Sequence, residues 1–183
     1  MEILKYNDNL FVIKNFLSNA VCDAMIEKAE TTGFEQAKVN FGGGEERVFK
    51  GIRNNERILY EDPVLAKAFW KKAAVCLPPV YQQSKASGFN ELFRFYRYEK
   101  GQRFKMHVDG SFVRNERERS QFTFLMYLND DFEGGDTLFH EGQVIKPAKG
   151  DALVFKHELR HEGAEVKEGI KYVLRTDVMY QDI

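Results

Sequence analysis

From residue 92 onward, short runs of apolar and β-branched residues follow one another with only tight turns between them, and this restricts the fold more than any other feature. The runs fall at 92–98, 104–108, 121–128, 137–140, 144–146, 152–155, 161–166 and 170–180. They are rich in Phe, Tyr, Val, Leu and Thr, which suit a pleated, half-buried surface. Lys100-Gly101, Gly134-Gly135, Lys149-Gly150-Asp151 and Lys167-Glu168-Gly169 supply the turns. That many strands joined so briefly predict a mainly β fold with a double-sheet jelly-roll core.

The first half reads differently. A short strand at 10–16 precedes a helix that Ser18 or Asn19 caps and Gly33 stops, with Val21, Met25, Ile26 and Ala29 on one face. Residues 34–39 read as a strand, and the glycines at 42–44 as a loop that serves as a lid or a linker. Asp62-Pro63 opens a second helix that runs toward Pro78-Pro79. Residues 84–88 read as a small polar linker, and the charged stretch 115–120 as a mobile rim loop. The two helices are expected to cover one sheet from outside. The whole, 1–183, is expected to be one domain, with 1–89 as support and a core at about 90–180.

Composition narrows the function classes. Lys and Arg number 27 against 28 Asp and Glu, so no charge excess drives binding to nucleic acid or an anionic membrane. No apolar run reaches membrane-spanning length. Cys22 and Cys76 lie on apolar helical faces and read as reduced thiols, which sets a cytoplasmic expectation.

Within the strand-rich part, His107-Val108-Asp109 carries chemistry. In an extended strand residues i and i+2 face the same way. Their Cα atoms lie about 6.6 Å apart, so imidazole and carboxylate can converge on one ion. Two histidines and a carboxylate form the facial Fe(II) ligand set with open positions. The third ligand is His157 or His161. His161 is preferred because Lys171 follows it one hairpin later, whereas His157 only follows a strand end. Lys171 sits in Tyr172-Val173-Leu174 company on a half-buried strand. A buried ammonium requires a partner, either an acid of the fold or an anionic ligand.

The run Phe93 to Asp109, with Tyr98, Gly101 and Phe104 ahead of the His-x-Asp pair, resembles the metal strand of Fe(II)- and 2-oxoglutarate-dependent dioxygenases of the prolyl 4-hydroxylase-like branch. The segment from Phe122 to the Gly134-Gly135 hairpin is similar to the next part of that family. Pro147, Gly150-Asp151, Phe155, His161, Gly163 and Gly169-Ile170-Lys171 complete the order. The resemblance implies that His107, Asp109 and His161 bind iron. It implies that Lys171 takes the distal carboxylate of 2-oxoglutarate, that Tyr98 hydrogen-bonds the co-substrate, and that Tyr127 adds a second hydroxyl. It also implies O2 as co-substrate, with ascorbate as a candidate accessory. The implied reaction couples decarboxylation of 2-oxoglutarate to succinate with hydroxylation of a prolyl or other protein residue, or of a small free metabolite.

Strand parity makes Arg175 and Arg94 candidates for the substrate side. Arg175 has an alternative in pairing with an acid such as Asp177. The polar stretch 51–57, with Arg53, Asn54, Asn55 and Arg57, lines the entrance or is a solvated connection. Two rival readings remain: a catalytically silent jelly-roll binding module, and a Zn hydrolase, for which no His-Glu-x-x-His base is present.

Overall fold

The computed structural model describes residues 1–40, 46–47, 49 and 51–183. The glycine stretch 42–44, read above as a lid or linker, lies outside the described residues. The chain forms a mainly β jelly roll. Its large antiparallel sheet runs, edge to edge, through Ile3–Asn7, Leu10–Ile13, Ala152–Lys156, Glu118–Tyr127, Lys171–Asp182, Leu92–Tyr98, Glu56–Glu61 and Glu35–Gln36. A smaller sheet orders Phe104–His107, His161–Gly163, Thr137–Phe139 and Val144–Ile145.

The period-two alternation of the central strands divides the interior in two. Phe93, Phe95, Phe122, Phe124, Met126, Leu174 and Val178 point from the large sheet into one core with the helices. Their strand neighbours Tyr96, Tyr98, Tyr127 and Val173 point the other way and pack with Phe139, Ile145 and Phe155. Helix α1 (Asn19–Thr32) and helix α2 (Pro63–Ala73) close the first core. Ser18 Oγ accepts from the Val21 amide, Gly33 ends α1 at φ 86°, and Asp62 caps α2 ahead of Pro63. Phe16 meets Phe124 and Phe69 edge-on, with ring centroids 4.9 and 5.7 Å apart, which ties strand and helix together.

Several expectations change. Residues 84–88 are no linker: Ser84–Phe89 is a strand that pairs with Lys171–Asp182. The C-terminal strand is twelve residues long, so its far end extends past Leu92–Tyr98 and its backbone needs another partner there. The stretch 115–120 is a tight hairpin instead of a mobile loop. Val113–Asn115 pairs with Glu118–Tyr127, and Arg114 is held by Glu91 and Glu118. Residues 34–39 hold only the two-residue strand Glu35–Gln36 and the start of Val39–Asn40. Helix α2 passes into a 3-10 turn, Ala74–Cys76, before the prolines.

Gly150 closes the turn between the large sheet and the segment ahead of α1. Its amide donates to Tyr127 O and its carbonyl accepts from Leu17 N, each at 2.8 Å. Its φ is +87°, and an added Cβ would meet the Leu17 carbonyl oxygen. Gly150→Ala is therefore expected to lower unfolding free energy by about 1–3 kcal/mol, read from the urea midpoint. An unchanged midpoint would mean that this turn is not constrained.

Candidate active site

The smaller sheet brings the two histidines face to face. His107 ends the Phe104–His107 strand and is the register partner of His161. Asp109 follows just beyond the strand end, and its amide donates to His157 O at 3.0 Å. His107 Nε2 lies 3.7 Å from Asp109 Oδ1, and His161 Nε2 lies 3.8 Å from Asp109 Oδ2. One ligand atom from each of the three residues falls within 4.8 Å of the others.

The protonation pattern suits a divalent ion. His107 Nδ1 lies 2.7 Å from Lys105 O and His161 Nδ1 lies 2.9 Å from Leu159 O. Each Nδ1 therefore carries the proton, and each Nε2 lone pair is free to face the cluster. Burial, then the neighbouring His161, pushes the His107 imidazole down to about 3, so it is neutral at physiological pH. Burial alone would raise Asp109, but the Arg175 guanidinium outweighs it, helped by the Thr123 hydroxyl, and holds the carboxyl well below the usual range. Phe104 stacks on His107 at 3.5 Å, and Phe155 sets its edge against His161 at 4.4 Å. Two imidazoles with Nε2 turned to the cluster and one carboxylate with such support fit the donor set of a non-haem Fe(II) site.

His157 stands outside this cluster. It is buried, with Ser120 Oγ 2.8 Å from Nε2 and Thr123 Oγ1 3.0 Å from Nδ1, so both ring nitrogens are engaged. Its partner Thr123 donates to Asp109 Oδ2 at 2.5 Å. His157 thus positions the carboxylate at one remove.

Of the two roles weighed for Arg175, the structure shows the pairing with acids, and with two of them. Nη2 lies 3.3 Å from Asp109 Oδ2 and 3.0 Å from Asp177 Oδ1. Arg94 reaches Asp177 Oδ2 at 3.0 Å, and Asn90 reaches the same oxygen at 3.2 Å. The buried carboxylate of Asp177 therefore anchors both guanidiniums.

Lys171 opens the last strand as the register partner of Tyr98. It is 3% exposed and lies between the rings of Tyr98 and Tyr127, 5.4 and 5.6 Å from their centroids. Nζ donates to Gly135 O at 2.5 Å. Among the described residues no carboxylate lies within ion-pair distance of it. Burial pushes the ammonium down to about 8, opposed only by the more distant Asp136. Tyr127 turns its hydroxyl to Thr137 Oγ1 at 2.8 Å, while Tyr98 and Thr137 border the cleft that holds His107, Asp109, His161 and Lys171.

The stretch 51–57 is more buried than a solvated connection, and it leads into the Glu56–Glu61 strand. Lys105 N donates to Ile52 O at 2.9 Å and Arg103 N to Asn54 Oδ1 at 2.8 Å, which presses this stretch against the metal strand. Arg53 stacks over Tyr96 and Phe104, with centroids 4.5 and 4.4 Å away, and Asn55 Oδ1 accepts from its Nε at 2.7 Å. Asn55 is buried beneath it, and Arg57, also buried, lies 3.7 Å from Glu35. Sequence reasoning named Asp177 as a partner for Arg175 but missed Thr137, which is brought in only by cross-strand contact.

A β-roll that gathers two histidines, a carboxylate and a buried unpaired lysine in one cleft has the layout of an oxygen-activating non-haem iron protein. Residues 93–176 match the family model of the 2OG-Fe(II) oxygenase superfamily. Probable prolyl 4-hydroxylase 6 of Arabidopsis thaliana is 28% identical over 180 residues, covering 83% of this chain and 59% of that protein. Prolyl 4-hydroxylase 1 of the same plant is 27% identical over 206 residues, covering 93% and 69%. The fold is shared with the viral collagen prolyl hydroxylase of Paramecium Bursaria Chlorella virus-1, at a TM-score of 0.68, 21% identity and coverage of 96% and 97%. It is shared too with a Trichoplax adhaerens prolyl hydroxylase in complex with a hypoxia inducible factor peptide, at 0.71, 16%, 96% and 84%. Over residues 93–176 the chain is similar to the 2OG-Fe(II) oxygenase superfamily, and it resembles the prolyl 4-hydroxylases.

His107→Ala, Asp109→Ala and His161→Ala are each expected to weaken Co(II) or Zn(II) binding by more than about 100-fold, beyond the 10–100-fold typical of losing a group that only orients a ligand. His157→Ala is expected to stay at about 10-fold or less in the same titration. The reverse ranking of His157 and His161 would move the third ligand.

Proposed function

We propose that this protein is an Fe(II)- and 2-oxoglutarate-dependent hydroxylase. The observation that carries this reading is Lys171, a buried ammonium whose only hydrogen bond among the described residues goes to a backbone carbonyl, in the same cleft as the His-Asp-His cluster. An ammonium in such a place is stabilised by an anion. A dicarboxylate with one end at the metal presents its other carboxylate to a cation set a few ångströms away.

Iron, when bound, supplies oxygen activation coupled to the decarboxylation of 2-oxoglutarate to succinate, with O2 consumed. The chain supplies binding, orientation and exclusion of water. His107, Asp109 and His161 hold the ion. Lys171 holds the distal carboxylate, with the Tyr98 hydroxyl beside it. Tyr127 packs beneath the ammonium and is held by Thr137, so its role is support more than direct contact. Thr123 and Arg175 fix Asp109, and Leu125 and Val173 keep that side of the cleft apolar. Ascorbate would serve as an accessory reductant.

The prolyl hydroxylase relatives make a residue of a peptide or protein the leading substrate, with a small metabolite as the alternative. The chain's net charge of −1 gives a nucleic acid no electrostatic support. A silent binding module is disfavoured because the metal residues and the cation are all in place.

Anaerobic addition of Fe(II) and 2-oxoglutarate is expected to produce a visible metal-to-ligand charge-transfer band, lost in His107→Ala, and aerobic incubation is expected to yield succinate. Folded protein that shows neither would return the site to a binding role. Lys171→Ala should raise the 2-oxoglutarate requirement at least about 30-fold, the scale of truncating one partner of a buried ion pair. Because only the ammonium form pairs with the carboxylate, 2-oxoglutarate affinity should fall as pH rises past about 8. Lys171→Arg, which stays charged, should flatten that fall; a pH profile identical to wild type would assign the carboxylate to another group.

A further inference from the structure

Among the described residues, a second cation beside this cleft has one nitrogen without a hydrogen-bond partner. Arg53 is 5% exposed, and its Nη2 has no hydrogen-bond partner among the described residues. The rest of the group is held firmly. Asn55 Oδ1 takes the Nε proton at 2.7 Å, and the guanidinium lies over Tyr96 and Phe104, both walls of the metal cleft. The backbone of Arg53 bridges to Phe104, so the side chain starts from a fixed point beside the metal strand. A buried donor held in one orientation with nothing to donate to is how binding sites are preorganised.

Charge balance around the cleft points the same way. Arg53, Arg94, Lys171 and Arg175 are set against Asp109, Asp177 and the more distant Asp136, which leaves a cationic excess of one. A divalent metal and a doubly charged 2-oxoglutarate cancel one another, so the cationic excess survives loading. Tyr96 registers that excess: burial raises its phenol, yet the fields of Arg175, Arg53 and Arg94 together bring it below its ordinary value. An uncharged substrate would leave the excess uncompensated in a desolvated site, whereas an anionic one offsets it.

We propose that the substrate bears a carboxylate close to the reacting carbon and that Arg53 Nη2 binds it, so the substrate is an acid, either as a free molecule or through an acidic side chain next to the reacting residue of a peptide. This rests on the co-substrate reading above. Arg53 acts as a specificity-determining residue that touches substrate, while Lys171 serves the co-substrate. The acid has two sources, a free α-carboxylate or an acidic side chain in a peptide.

The test uses the folded chain loaded with Zn(II) and N-oxalylglycine, an inert analogue of 2-oxoglutarate, so that binding is read without turnover. Calorimetric titration compares N-acetylproline with N-acetylprolinamide, and acetyl-Pro-Asp-amide with acetyl-Pro-Asn-amide. In at least one pair the acid is expected to bind about tenfold tighter or more than its neutral counterpart, and the pair that does so identifies the source. The preference should fall below about twofold in Arg53→Gln and return in Arg53→Lys, which keeps the charge. Equal or tighter binding of the amides, no binding of either acid, or a preference that persists in Arg53→Gln would overturn the proposal. Loss of N-oxalylglycine binding by the zinc-loaded wild type would instead strike the co-substrate reading, and the inference with it.

Discussion

The ion pairs of Arg175 join the metal residues to the large sheet. The guanidinium sits in the last strand, at the register position of Arg94 and Leu125, and spans the gap between Asp109 and Asp177. Asp109 lies beyond the end of its own strand, where backbone pairing no longer positions it. Its place depends on Arg175, on Thr123 and on the amide contact to His157 O. Removing one partner from a buried pair of this kind costs about 3–5 kcal/mol, because the other charge is left uncompensated. The same strand carries Lys171 at its start, so one rigid element positions the Asp109 carboxylate and the buried ammonium together.

Desolvation acts with opposite consequences on the groups of the cleft. It keeps His107 neutral, as a metal ligand must be, and it weakens the hold of Lys171 on its proton. For Asp109 the Arg175 guanidinium overcomes it, and the carboxylate stays ionised. These are the states needed to receive a divalent cation and a dianion. They arise from where the residues lie relative to the two sheets, since Tyr96, Tyr98 and Val173 exclude water from one side while Phe155 and Phe139 do so from the other. The cleft is thereby dry enough for charge pairing to be strong, and its polar groups are few enough to be specific.

Much of the fold could be read from local pattern. The helix at 19–32 carries its cap and its stop in the chain, and the alternation through Phe122 to Tyr127 assigns each side chain to one of two cores. Expectations failed where the local residues are neutral about structure. Ser84 to Phe89 has no bulky alternation, and it becomes a strand because the long C-terminal strand offers it an unpaired edge. Arg53, Asn55 and Arg57 look like a solvated stretch by composition, yet they are buried because the chain is laid against the Phe104 strand.

The identity of the metal residues and the lysine, and their order along strands, were set by the sequence itself, because a period of two and a turn at glycine need no long-range information. Which histidine completes the cluster follows from cross-strand register, which pairs His161 with His107 and leaves His157 to Ser120 and Thr123. The double pairing of Arg175, the withdrawal of the Tyr127 hydroxyl to Thr137 and the Arg53 donor left unmet among the described residues likewise belong to the tertiary structure. A side chain's partner in a sheet is chosen by the strand beside it, and that neighbour is remote in sequence.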